Sequence, residues 1–129
     1  MQNVMKDLTV ELGADRPGAL GKALDAIAQA GINVEGFAEI SGTLHVTTAD
    51  AARSRKALEA GGFKVTGDQD VVVVEVSDRP GTAAQIFRQL GDANVNVNFA
   101  YVAANNRLAV GAANVAKATE IIARVGAVV

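Results

Sequence analysis

Apolar and polar residues alternate with a period of two along Leu8-Thr9-Val10-Glu11-Leu12, which predicts a half-buried strand. Val71–Val76 is apolar on both faces and predicts a more deeply buried one. After each strand the period lengthens to that of a helix. Leu20, Ala23, Leu24, Ile27 and Ala28 form one apolar face, and Ala83, Ile86, Phe87 and Leu90 form another. Gly31 and Asn94, residues tolerant of positive φ, end these helices. Second strands are predicted over Ile32–Ile40 and Val95–Ala103, with hairpin turns at Ser41-Gly42 and Asn105-Asn106. Third strands follow at Leu44–Thr47 and Arg107–Gly111. Asp50 and Asn114 then stand as N-caps of further helices, the later one with Ala118, Ile121, Ile122 and Val125 on its apolar face. Phe63-Lys64-Val65 and Ala127-Val128-Val129 read as short closing strands, and Gly67-Asp68-Gln69-Asp70 as the linker between halves.

The same order occurs twice because the sequence repeats. Asp15–Ala38 falls on Asp78–Tyr101 at an offset of 63, without a gap, and seven of the 24 pairs are identical. Four of those seven are the tetrapeptide Asp-Arg-Pro-Gly; Asn33/Asn96 and Val34/Val97 are two more. Beyond the second strands the offset becomes 64, as in Leu44/Leu108 and Asp50/Asn114. A one-residue slip of this kind is what turns tolerate best. The order strand–helix–strand–strand–helix–strand is the split βαβ, ferredoxin-like arrangement. The expected fold is therefore α+β: two βαββαβ units, residues 1–67 and 68–129, packed side by side, with antiparallel sheets and helices on one face. A unit of this size buries only about 60% of its unfolded surface and is marginal alone, so a homodimer is expected.

Composition removes several alternatives. Half the residues are hydrophobic but only 4% are aromatic, so the core must be Val, Ala, Leu and Ile. Cysteine is absent, which excludes disulfides, thiolate metal sites and a Cys nucleophile. Twelve basic against fourteen acidic residues form no basic stripe for nucleic acid. No apolar run approaches the roughly 20 residues that span a bilayer, and the opening residues carry no signal-peptide pattern. A cytoplasmic protein without membrane or nucleic-acid partners is expected.

The chemistry centres on the repeated turn, which joins a strand to a helix N-terminus. Pro suits a helix's first turn because its missing N–H would be unpaired there anyway. Gly lets backbone or ligand approach closely. The unpaired amides and the helix dipole then favour an anion such as a carboxylate, and an Asp at the rim can pair with an ammonium. Asp15 and Asp78 serve equally well as simple helix caps, and Asn33 and Asn96 as partners of local backbone. No Ser/His/Asp set or carboxylate pair can be assembled, so no catalytic role is expected. Gly18-Ala19-Leu20-Gly21 lacks the Lys-Ser/Thr that closes a phosphate loop. His45 is the single histidine, read onto the outer sheet face without a nearby carboxylate cluster, and is a poor metal ligand. Base stacking is not expected of Phe99 and Tyr101, read as pointing to opposite faces. No cofactor and no metal are expected.

The framework VELGADRPGALGKALDAIAQAGINVEGF, with its second copy VEVSDRPGTAAQIFRQLGDANVNVNF, resembles the ACT domain. ACT domains are small ligand-sensing modules of amino-acid metabolism. Asp78, Pro80, Gly81, Ala83, Ala84, Ile86 and Phe87 are similar to a pattern of the regulatory ACT units of aspartate kinases. The resemblance implies an amino-acid effector clasped where the turn and the following strand of one unit face another unit. On this sequence it implies contacts from Asp15, Arg16, Pro17, Gly18, Ala19, Leu20, Asn33, Val34 and Glu39. In the second copy it implies Asp78, Arg79, Pro80, Gly81, Thr82, Ala83, Asn96 and Val97. It also implies a partner enzyme in amino-acid metabolism, regulated in trans. The sequence departs from the family where a Gln late in the second strand often meets the ligand: here stand Glu39 and Val102. The alternative is a structural small subunit of a larger enzyme with degenerate ligand sites.

Overall fold

A computed structural model of the chain describes residues 2–13 and 16–126. Its elements run β1 (Gln2–Glu11), α1 (Ala19–Gln29), β2 (Val34–Ile40), β3 (Thr43–Thr48), α2 (Ala51–Ala60), β4 (Lys64–Glu75), α3 (Thr82–Asp92), β5 (Val97–Ala103), β6 (Arg107–Ala112) and α4 (Val115–Gly126). They form two compact units. One is Met5–Gln69; the other takes in the described residues from Asp70 onward, together with residues 2–4 of β1.

In the earlier unit β3 lies between β1 and β2 and runs antiparallel to both, with Val10 opposite Leu44 and Phe37 opposite Val46. β1 and β2 therefore run parallel, which requires a crossover, and α1 supplies it. Leu8, Val10 and Leu12 point inward at every second position and pack with Ala23, Ile27, Leu44, Val46 and Leu58. The later unit repeats this: Val74 of β4 opposes Leu108 of β6, and β5 pairs with the other side of β6. Val72, Val74, Ile86, Leu90, Val110, Ile121 and Ile122 fill its core. Val71–Val74 are all buried, as an apolar run without alternation requires.

Both expected N-caps are made. The Asp50 side chain accepts from the Arg53 amide at 3.1 Å, and Asn114 Oδ1 from the Lys117 amide at 3.0 Å. Asp50→Ala is expected to lower stability by about 1 kcal/mol, read as a shift in the urea midpoint at unchanged slope. Gly31 and Asn94 end their helices at φ 77° and 61°. Ser41 and Gly42 both have positive φ, as a two-residue type I′ turn demands; Asn105 and Asn106 also have positive φ, but with Ala104 they form a three-residue connection between Ala103 and Arg107.

Three expectations are corrected. Residues 67–70 are not a linker, because β4 runs through them without a break. Gly67, Asp68 and Asp70 read as turn formers, yet from Lys64 to Asp70 exposed and half-buried residues alternate, so the polar side chains occupy the outer side of a strand. The apolar helix faces hold at Ala23, Ile27, Ile86 and Leu90, but their edges differ. Ala19, Ala23 and Ile27 are buried and Ala28 is exposed; Thr82, Ile86 and Leu90 are buried and Ala83 is exposed. Phe99 and Tyr101, finally, share a face of β5, being two residues apart; their rings stack at 6.2 Å with 10° between planes. The closing strand expected at Ala127–Val129 lies outside the described residues.

Candidate functional site

The repeated tetrapeptide makes the same backbone turn twice. Pro17 precedes Gly18 at φ 84°, ψ −6°, and the Ala19 amide donates to the Arg16 carbonyl at 3.1 Å. Pro80 precedes Gly81 at φ 90°, ψ −10°, and Thr82 donates to Arg79 at 3.3 Å. Pro second, Gly third at positive φ and a bond from the fourth residue to the first define a type II turn. The prolines thus stand before the helices, not in their first turns. Each glycine is the N-cap, and among the described residues no side chain caps either helix. Asp78 is exposed and does not serve as a cap; Asp15 lies outside the described residues.

An uncapped helix start leaves amides of its first turn facing outward. In the earlier unit these border an open cleft of about 750 Å³, lined by Arg16, Gly18, Ala19, Leu20 and Glu39 among others. Two charges enter it from different elements. Arg16 Nη1 donates to the Leu12 carbonyl at 3.1 Å, and Glu39 Oε2 accepts from the Gly42 amide at 3.1 Å. Strand register puts them at the same end of the sheet, because Glu11 and Ile40 both oppose Thr43, so the ends of β1 and β2 lie level on either side of β3. The matching cleft of the later unit is smaller, about 230 Å³, and holds Asp78, Arg79, Thr82, Ala83 and Val102. Pro80 and Gly81 line instead a shallow hollow with Arg88 on the outside of the turn.

Register separates the remaining candidates from these clefts. Val34 opposes Thr48, which in turn opposes Lys6, so Asn33 and Val34 begin β2 at the end of the sheet remote from the turn. Asn96 and Val97 stand likewise, with Asn96 Nδ2 donating to Asn98 Oδ1 at 3.0 Å. Glu35 and Asn98 sit where the register shifts in each copy, between Val34 and Gly36 and between Val97 and Phe99. Sequence reading missed the hairpin contributions: Ser41 and Gly42 to the earlier cleft, Arg107 to the later. The late-strand position of Glu39 was a signal for the hairpin beside it.

His45 is not isolated from carboxylates. Its Nδ1 lies 3.0 Å from Asp7 Oδ1, with the Asp7 side chain fully buried. Asp7 opposes Thr47, two residues from His45 on β3, so the pair is a diagonal cross-strand contact. Among the described residues no group of three His, Cys, Asp or Glu stands together to hold a metal, and no helix is long and apolar enough to cross a membrane.

No protein-family model matches the sequence. No curated protein matches it. Solved structures do. A protein from Bacteroides thetaiotaomicron superposes with a TM-score of 0.80 at 26% identity, over 95% of this chain and 89% of that one. The ligand-free regulatory subunit of aspartate kinase from Thermus thermophilus superposes with a TM-score of 0.65 at 18% identity, over 96% and 95%. This chain has the fold of an aspartate kinase regulatory subunit. That ACT-like fold also covers 31% of E. coli aspartokinase III, solved with lysine and aspartate, at a TM-score of 0.63 and 12% identity. The likeness agrees with the α+β order and the antiparallel pairings.

Proposed function

We propose that this chain is a non-catalytic regulatory protein. It binds an amino acid in the cleft of the earlier unit and transmits occupancy to an enzyme of amino-acid metabolism, as a cytoplasmic homodimer. The observation that carries this is the pairing of Arg16 and Glu39 in one cleft, each anchored to backbone. A zwitterion offers a carboxylate to Arg16 and the amides of α1's first turn, and an ammonium to Glu39. Leu20 and Leu24 line the same cleft and suit the aliphatic part of a side chain. The likeness to aspartate kinase regulatory subunits supports the reading. Binding shifts a partner only as far as the ligand's affinity differs between two states of the protein.

Calorimetric titration with the twenty L-amino acids tests this. One or a few are expected to bind. Glu39→Gln and Arg16→Met are each expected to weaken that binding at least ten-fold while leaving the thermal midpoint of the free protein within a few degrees. No binding by the wild-type chain, or equal binding by both variants, removes the proposal. The second reading is a structural small subunit with degenerate sites, and the exposed Val102 where Glu39 has its counterpart favours it. It requires an enzyme that co-purifies with the chain irrespective of any amino acid.

A further inference from the structure

The two clefts occupy the same place in the repeat and present different groups. Glu39 is replaced by Val102, and Thr43 by Arg107. The later cleft therefore faces two guanidiniums, Arg79 and Arg107, and a single acid, Asp78, which is exposed. Both guanidiniums are oriented by bonds to the chain: Arg79 Nε donates to Ser77 Oγ at 3.2 Å, and Arg107 Nε to the Ala104 carbonyl at 2.7 Å. The rest of the wall combines apolar Val76, Ala83, Val102 and Leu108 with Ser77, Asn106 and the buried Thr82, whose hydroxyl lies 3.3 Å from Ser77 Oγ. At about 230 Å³ the cleft is smaller than sites for drug-sized ligands.

We propose that the later cleft binds a small carboxylic acid lacking an α-ammonium, of the branched 2-oxo acid class. The proposal extends the reading of the earlier cleft to its counterpart and rests on that reading for the contrast. A carboxylate beside a keto oxygen presents coplanar acceptors, which suits the planar, multi-donor guanidinium. The branched end meets Val76, Val102 and Leu108. An ammonium would enter a cleft lined by two arginines and lacking a counterpart of Glu39, and like charge there disfavours it. The two halves of the chain then read an amino acid and its deaminated counterpart separately.

The test uses the full chain carrying Glu39→Gln, which disables ammonium capture in the earlier cleft. It is titrated by calorimetry with 3-methyl-2-oxobutanoate and with L-valine, which share a carbon skeleton. The oxo acid is expected to bind at least ten-fold more tightly than valine. Arg79→Gln and Arg107→Gln on that background are each expected to weaken the oxo acid at least ten-fold. Val102→Glu, at a position 73% exposed and so tolerant of a charge, is expected to weaken the oxo acid similarly and to bring valine level with it. Valine binding as tightly as the oxo acid, no oxo-acid binding, or oxo-acid binding unmoved by Val102→Glu overturns the proposal. Amino-acid binding to the protein with Glu39 intact is read in a separate titration, so the earlier cleft stands or falls independently.

Discussion

Gly111→Thr is expected to destabilise the later unit by about 3 kcal/mol, and Phe99→Gly placed on top of it is expected to cost less than the two changes separately. Gly111 opposes Phe99 in the β5–β6 ladder, and a Cβ at Gly111 would fall within the Phe99 ring. The equivalent rung of the earlier unit pairs Gly36 with Thr47. Each rung thus holds one small and one larger residue, on opposite strands in the two copies. Threonine at position 111 copies one half of the earlier rung against the other half of the later. The ring must then leave its place beside Tyr101, where the two stack at 6.2 Å. The double variant Phe99→Gly/Gly111→Thr reproduces the earlier rung entire, so it loses the ring and with it the collision. Urea unfolding of the four proteins gives the coupling, expected to be about 1–3 kcal/mol. A coupling near zero would show that the ring moves aside freely and that the two rungs are not complementary solutions.

Leu58→Ala is expected to cost about 3–5 kcal/mol and to release α2 from its sheet. The two helices in corresponding places are attached differently. α4 buries Ala118, Ile121, Ile122 and Val125. α2 buries only Ser54 and Leu58, and Leu58 is its one large side chain wholly removed from water. Ser54 adds a bond to Thr48 at 2.8 Å, and Arg53 Nη2 donates to the Ala30 carbonyl at 2.6 Å. Those polar ties are exchanged against bonds to water, contribute on the order of 1 kcal/mol each, and do not replace a leucine. Hydrogen exchange of the α2 amides should accelerate by the same factor as the lost stability, while α4 keeps its protection. Uniform acceleration through both units would show instead that Leu58 supports the whole chain and not one helix.

Most elements were legible because apolar period, turn dipeptides and a near-copy of the sequence all pointed the same way. The hairpins at Ser41-Gly42 and Asn105-Asn106 are local, set by connections of two and three residues. The path of β4 was not legible, since Gly67, Asp68 and Asp70 have turn-forming character and only the pairing of a neighbouring strand overrides it. The faces of α1 and α3 were legible at Ala23, Ile27, Ile86 and Leu90; the buried Ala19 and Thr82 were not, because the type II turn and not the apolar pattern fixes where each helix begins. Half of each cleft was visible in Asp-Arg-Pro-Gly. The other half, Gly42 and Arg107, is brought near by strand register, which a single copy of the sequence does not spell out. Asp7 beside His45 was hidden for the same reason: the residues are 38 positions apart and meet only across a ladder.

Among the described residues no side chain caps either helix start; backbone at Arg16–Ala19 and Arg79–Thr82 makes the bond that begins each helix. Residues 39, 43, 102 and 107 are therefore at liberty to drift, because none of them builds the turn they surround. A duplicated gene of this design can keep one backbone in both halves and still evolve two specificities by a handful of point changes. The same freedom makes the clefts a reasonable place to install new ligand preferences by library selection, with the turn left untouched.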